Sequence, residues 1–108
     1  MFEIYQSDKN KKFHFRLKAK NGQIILSSQG YSDKSGCRNG IRSVAKNAEN
    51  DERFELNTAA NGKRYFNLKS RNGEIIGTSQ MYAANDGVKK GIASVRANAG
   101  NEVNDLTA

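Results

Sequence analysis

The sequence predicts an α+β fold in which two tandem βββα(β) repeats share one antiparallel sheet, with both helices on one of its faces. Three observations carry that prediction. Asn21-Gly22-Gln23-Ile24-Ile25 recurs as Asn72-Gly73-Glu74-Ile75-Ile76, and at this offset of 51 residues half of the positions between Phe15 and Ala48 have an identical counterpart. Ahead of its Asn-Gly pair each copy alternates apolar and polar residues, the period of a half-buried strand. Each copy then carries an apolar stripe at helical spacing. A chain of 108 residues makes one modest domain, and units of about 50 residues bury too little surface to stand alone. Residues 1–50 and 51–108 are therefore expected to share one core, as a pseudo-two-fold pair within a single domain spanning 1–108.

Phe2 to Gln6 is rich in strand formers. After the polar loop Asp8-Lys9-Asn10-Lys11 comes Phe13-His14-Phe15-Arg16-Leu17-Lys18, which alternates strictly. Asn21-Gly22 tolerates the positive φ that a type I′ two-residue turn demands, so the expected register sets Leu17 opposite Leu26 and Lys18 opposite Ile25. On that register Phe15, Leu17, Ala19, Ile24 and Leu26 face the core, while Arg16, Lys18, Lys20, Gln23 and Ile25 face the other way. The same rule about Asn72-Gly73 sends Phe66, Leu68 and Ile75 inward, and Tyr65, Asn67, Lys69, Arg71 and Ile76 outward.

Ser32 or Asp33 can cap a helix whose apolar residues are Cys37, Ile41, Val44 and Ala48. Its counterpart runs through Val88, Ile92, Val95 and Ala99, with Asn85 or Asp86 near the start. Gly36 and Gly40, like Gly87 and Gly91, fall inside these helices, where each glycine costs about 1 kcal/mol against alanine. Close approach of the helix backbone to the sheet or to the other helix is the expected compensation, a ligand on the glycine face the alternative. The join Glu49-Asn50-Asp51-Glu52-Arg53 is short and polar. Phe54-Glu55-Leu56 then echoes Phe2-Glu3-Ile4 at an offset of 52, so the first hairpin loop of the first repeat is one residue longer. Gly100 suits a helix stop, and Val103-Asn104-Asp105-Leu106 a short last strand.

Composition narrows the function classes. No apolar run approaches the roughly 20 residues needed to cross a bilayer, and Met1-Phe2-Glu3-Ile4-Tyr5-Gln6 has neither a basic start nor a small-residue cleavage site, which predicts a cytoplasmic protein. The single cysteine, Cys37, lies in the apolar stripe and reads as a small buried hydrophobe. With one histidine, His14, and no CxxC or HxxxH spacing, a metal site is not expected. No GxxxxGK[ST] phosphate loop occurs. Glu49, Asp51 and Glu52 read as a solubilising linker. The chain therefore reads as a non-enzyme without cofactor.

Net charge is +7, from 18 basic and 11 acidic residues, which favours polyanion partners and solubility alike. Arg16, Lys18, Lys20, Lys69 and Arg71 are expected on the outer sheet face with His14 and Tyr65, and cations interleaved with rings suit backbone phosphates and stacked bases. Ile25 and Ile76 on the same face would equally suit protein binding or self-association. The runner-up is a helix stripe, Lys34, Arg38, Arg42 and Lys46, charged in one repeat only and otherwise a solvated face. The expected function is a non-enzymatic binding module with a polyanion-binding sheet face. Its alternative is a protein-interaction or stress-associated structural protein whose charge serves solubility. Because the second repeat supplies what a partner subunit would, a monomer is expected.

The pattern Phe-x-Leu-Lys-x-[Lys/Arg]-Asn-Gly-[Gln/Glu]-Ile-Ile, then Ser-Gln-x-Tyr, then Gly-Ile-x-Ser-Val-x-x-Asn-Ala, occurs twice. It closely resembles the YegP-like family of small bacterial and archaeal proteins, a domain of unknown function, over nearly the whole chain. The resemblance implies repeats that join into a single antiparallel sheet and exchange their C-terminal strands. Val103 to Leu106 would be one exchanged strand, with the stretch from Arg53 to Leu56 doing related work for the first half. No activity, ligand or catalytic residue follows from the resemblance.

Overall fold

Alternating strands, glycine turns and two amphipathic helices appear where the sequence sets them in a computed structural model, which describes residues 1–100 and 102–108. In chain order the elements are β1 (Phe2–Gln6), β2 (Phe13–Lys18), β3 (Ile24–Ser27), α1 (Lys34–Asn47), a 3-10 turn (Asp51–Arg53), β4 (Phe54–Thr58), β5 (Arg64–Lys69), β6 (Ile75–Thr78), α2 (Asn85–Asn98) and β7 (Val103–Asp105). They form one seven-stranded sheet in the order β4-β5-β6-β3-β2-β1-β7. Among the described residues no helix is long and apolar enough to cross a membrane.

Every hairpin is antiparallel, but β7 runs parallel to β1, with Phe2 opposite Val103 and Ile4 opposite Asp105. The sheet is therefore mixed, which corrects the expectation of a uniformly antiparallel one. β7 follows a helix rather than a hairpin, so no tight turn imposes the antiparallel sense. The stretch from Arg53 to Leu56 does no equivalent work. Arg53 ends the 3-10 turn, and Phe54 begins β4, which pairs with β5 alone.

The Asn-Gly turns also differ from expectation. Only Gly22 has a positive φ, 84°, and Asn21 does not. The Gly22 amide donates to the Ala19 carbonyl at 3.0 Å, and the Ala19 amide to the Gln23 carbonyl at 2.9 Å, so the loop is Lys20-Asn21-Gly22, three residues rather than two. Asn21 earns its place through its side chain, whose Oδ1 accepts the Gln23 amide at 3.0 Å. Ser70-Arg71-Asn72-Gly73 repeats this arrangement.

The extra loop residue shifts the register. Lys18 lies opposite Ile24 and Leu17 opposite Leu26, with a β-bulge between. Two residues of the bulged strand, Ile25 and Leu26, then oppose the single Leu17 and both turn to the helix side. Ile25 and Leu26 are accordingly buried while Ile24 is exposed. The second copy does the same: Lys69 pairs with Ile75, which is exposed, and Ile76 is buried. The expected assignments of Ile24 and Ile75 to the core, and of Ile25 and Ile76 to the outside, are thus reversed.

The core lies between the sheet and both helices. Phe2, Ile4, Phe15, Leu17, Phe66 and Leu68 meet the stripes of Cys37, Ile41, Val44 and Ala48 and of Val88, Val95 and Ala99. Each helix packs on strands of both halves, α1 on β2, β5 and β6, and α2 on β2, β3 and β5. Asp33 caps α1, its Oδ1 accepting the Gly36 amide at 2.8 Å. Ala84 occupies that position at α2 and makes no side-chain cap. The helix glycines do answer to close approach, and the approaching group is a ring. A Cβ on Gly40 would lie 2.5 Å from the Tyr31 hydroxyl and 2.8 Å from Phe15 Cε2, and one on Gly91 would come closer still to the Tyr82 hydroxyl. Tyr31 and Tyr82 stack on Phe15 and Phe66 beneath the helices.

At the centre β3 meets β6, Ser27 opposite Thr78. Here the copies are complementary rather than equal. Leu26 of β3 is matched in the repeat by Gly77 of β6, and a Cβ on Gly77 would stand 2.6 Å from Leu26 Cγ.

Candidate binding surfaces

The outer sheet face is built by alternation. Glu3 and Tyr5 of β1 lie opposite Arg16 and His14 of β2, and Glu55 and Asn57 of β4 opposite Asn67 and Tyr65 of β5. Arg16, Lys18, Tyr65 and Lys69 stand on this face, as alternation requires, but its cations are engaged. Arg16 Nε bonds Glu3 Oε1 at 2.8 Å, and Lys18 Nζ reaches the same oxygen at 3.2 Å. Lys69 Nζ bonds Glu55 Oε2 at 2.6 Å. Arg16 also lies 4.6 Å from the centre of the Tyr5 ring, which stacks on His14. The hydrogen bond from Arg16 leads in holding the Glu3 carboxyl below its ordinary pKa. Bonds from Lys69, then Asn57 and Asn67, pull Glu55 down to about 2.

Lys20 and Arg71 leave this group. Both sit in three-residue turns that bend to the helix side, where the extra loop residue takes them out of the strands' alternation. Arg71 lines an open cleft between the β5–β6 turn and the end of α1, about 860 Å³ in volume, with Ser43, Lys46, Asn47, Asn50, Arg53, Ser70 and Asn72. Lys20 lines the equivalent cleft beside α2 with Ser94, Ala97 and Asn98. The second cleft carries one cation where the first carries three.

The helix stripe is divided too. Lys34 Nζ and an Arg38 Nη2 each lie 3.1 Å from Asp105 Oδ2 of β7. Arg42 donates to Asn39 on its own helix. Lys46 belongs to the first cleft. Among the described residues no ion pair involves Lys46, Arg53 or Arg71. The nearby Asp51 is held by Arg96, whose Nε also donates to the Ala48 carbonyl at 2.9 Å. Arg53 Nε donates to Asn47 Oδ1 at 3.1 Å, which aims the guanidinium along the end of α1. Arg53 was not among the sequence candidates. Lack of a charged repeat counterpart does not single it out, because Arg16, Lys34, Arg42, Lys90 and Arg96 also stand opposite uncharged residues at the repeat offset.

Asp105 ties the last strand to the first helix. Its pKa falls to about 2 through hydrogen bonds from the Thr107 hydroxyl and amide, with the Lys34 ammonium adding to them. A carboxyl lowered on folding stabilises the native state above its unfolded pKa and loses that contribution as pH falls through the folded value. Stability is therefore expected to be lost between about pH 4 and pH 2, and Asp105→Asn to begin less stable at neutral pH with a flatter acid limb. Urea midpoints measured across that range for both proteins check this, and parallel curves would refute it. Some slope should survive in the variant, from Glu3 and Glu55. At the other end of the scale, burial pushes the Cys37 thiol up to about 11, as befits a core residue.

Fold and surfaces together define a small α+β protein built from a duplicated strand-strand-strand-helix unit, with charged surfaces on both sides of one sheet. The chain belongs to the family described as domain of unknown function (DUF1508), which matches twice, over residues 8–55 and 59–105. It is 55% identical over 95 residues, 88% of this chain and 85% of the other, to the UPF0339 protein in the ptx operon 5′ region of Stutzerimonas stutzeri. It is 52% identical over 97 residues, 90% of this chain and 87% of the other, to UPF0339 protein YegP of Escherichia coli (strain K12). Among solved structures it resembles the solution NMR structure of E. coli yegP, a protein of unknown function, with a TM-score of 0.91, 48% identity and coverage of 97% of this chain and 90% of that one. A UPF0339 protein from Shewanella oneidensis, also solved by NMR, matches with a TM-score of 0.90, 45% identity and coverage of 97% and 89%.

Proposed function

We propose that this protein is a non-enzymatic, cytoplasmic, monomeric binding module, a single domain of two repeats (1–50 and 51–108) whose C-terminal strands are exchanged in part. Its ligand is a polyanion, with a single strand of nucleic acid the best candidate. The convergence of Lys46, Arg53 and Arg71 in one cleft, with no carboxylate among the described residues paired to any of them, carries this function. Ser43, Asn50, Ser70 and Asn72 add neutral hydrogen-bonding groups at its rim, and such mixtures position a phosphate backbone. The sheet-face set of Arg16, Lys18 and Lys69 supports the same function less well, because Glu3 and Glu55 already hold those charges. Its rings at Tyr65 and His14 remain a platform for a base.

Two variants of equal charge change separate the surfaces. Lys46→Glu with Arg71→Glu alters the cleft, and Lys18→Glu with Lys69→Glu alters the sheet face. Binding of a labelled single-stranded oligonucleotide should weaken at least about tenfold between 50 and 200 mM salt if four phosphates are contacted, and the cleft pair should weaken it far more than the sheet pair. The reverse order would place the ligand on the sheet. Absence of salt-dependent binding by the unmodified protein would end the polyanion hypothesis and leave a protein partner.

A further inference from the structure

The two halves of the sheet end differently, and the difference is a vacancy of defined shape. Ile4 of β1 and Leu56 of β4 are repeat counterparts. Ile4 is fully buried, whereas Leu56 is 54% exposed. Ile41 of α1 is 7% exposed, and its counterpart Ile92 of α2 is only partly buried. In the first half β7 makes the difference. Val103 lies by Ile41, the Phe2 amide donates to the Glu102 carbonyl, and the Leu106 amide donates to the Ile4 carbonyl, both at 2.9 Å. Asp105 closes the arrangement on Lys34 and Arg38.

Among the described residues β4 has no such neighbour. Its partner Phe66 spends its carbonyl on the Ser79 amide and its amide on Ser79 Oγ, both at 2.9 Å, and so has nothing to offer Leu56 across the pair. The amide and carbonyl of Leu56 consequently point to the open edge, as those of Ile4 point to β7. Beside them are Asn85 and Val88 of α2, which with Leu56 and Tyr65 line a small groove. Lys89, the counterpart of Arg38, is exposed one turn further on.

We propose that the edge of β4 is a docking site for an extended segment of a partner polypeptide, which adds as an eighth strand parallel to β4. Strand addition of this kind draws affinity from main-chain hydrogen bonds and specificity from alternate side chains. The required pattern is set by β7: an apolar residue, facing Ile92 as Val103 faces Ile41, and two positions later an aspartate or glutamate, facing Lys89 as Asp105 faces Arg38. This site is separate from the polyanion cleft, and neither depends on the other.

The test uses the full chain, isotopically labelled, and a seven-residue peptide of sequence Glu-Val-Asn-Asp-Leu-Thr-Ala, copied from residues 102–108. Millimolar peptide should shift the amide resonances of Glu55, Leu56 and Asn57 saturably. Replacing the peptide's aspartate by asparagine should weaken binding about fivefold, as should Lys89→Glu in the protein, the effect of losing one partly exposed charge pair. Leu56→Lys should abolish the shifts while leaving the rest of the spectrum folded, since that side chain is largely in solvent. No shift at β4, or shifts confined to Phe2, Glu3 and Ile4 through displacement of β7, would overturn the proposal. So would β4 shifts that follow protein concentration without peptide, which would make the occupant a second copy.

Discussion

Exchanging Leu26 and Gly77 between the two central strands should leave the protein far more stable than either change alone. Leu26→Gly empties a fully buried position and should cost about 3–5 kcal/mol, the upper part of the range for removing a core leucine. Gly77→Leu places a side chain where even its Cβ would be 2.6 Å from Leu26 Cγ. Overpacking of that kind costs about 1–3 kcal/mol and occasionally more. With both changes the new leucine fills the space the old one leaves, from the neighbouring strand. Denaturant titration of the four proteins should give a coupling of at least about 2 kcal/mol, within the range seen for residues in contact. Losses that simply add would show that the two positions do not share one space.

The second large effect concerns the helix glycines. Alanine for glycine inside a helix ordinarily stabilises by about 1 kcal/mol. Gly40→Ala and Gly91→Ala should instead destabilise, together by about 2–4 kcal/mol, because each new methyl meets a tyrosine ring that the sheet backs on its other side. Thermal unfolding should fall by roughly 4–8 °C for each kcal/mol lost. Tyr82→Phe should recover only part of the loss in Gly91→Ala, since it removes the nearest obstacle, the hydroxyl, but leaves ring atom Cζ at 2.7 Å. Recovery should be similarly partial for Tyr31→Phe with Gly40→Ala, where Phe15 Cε2 stays at 2.8 Å. A rise in melting temperature for either single alanine would refute the packing account.

Element types and the repeat were legible in the sequence because they rest on period and turn residues, which are local. Cys37, Ile41, Val44 and Ala48 mark one helix face in any tertiary setting, and Phe15 and Leu17 one strand face. What was not legible depended on a single residue of register or on distant partners. Asn-Gly fits both a two-residue and a three-residue turn, and only the choice between them decides whether Ile24 or Ile25 is dry. The same choice carries Lys20 and Arg71 off the sheet face. The candidate sites suffered further because charge in a sequence carries no sign of its partner. Glu3 precedes Arg16 by 13 residues and Asp105 follows Arg38 by 67, so the ion pairs that engage these cations leave no local mark. Arg53, in what read as a linker, gains its position only from the turn that brings it against Asn47.

The parallel pair of β1 and β7 joins the beginning of the described chain to its end. Phe2 and Val103 are neighbours in space but about 100 residues apart along the chain, and long separations of this kind slow folding because the loop must close before the contact repays it. During synthesis, Ile4 and the edge of β1 stay uncovered until the intervening residues and β7 have been made. Until then this sheet presents two bare edges rather than one, and its exposure to wrong strand partners is greatest just before β7 arrives.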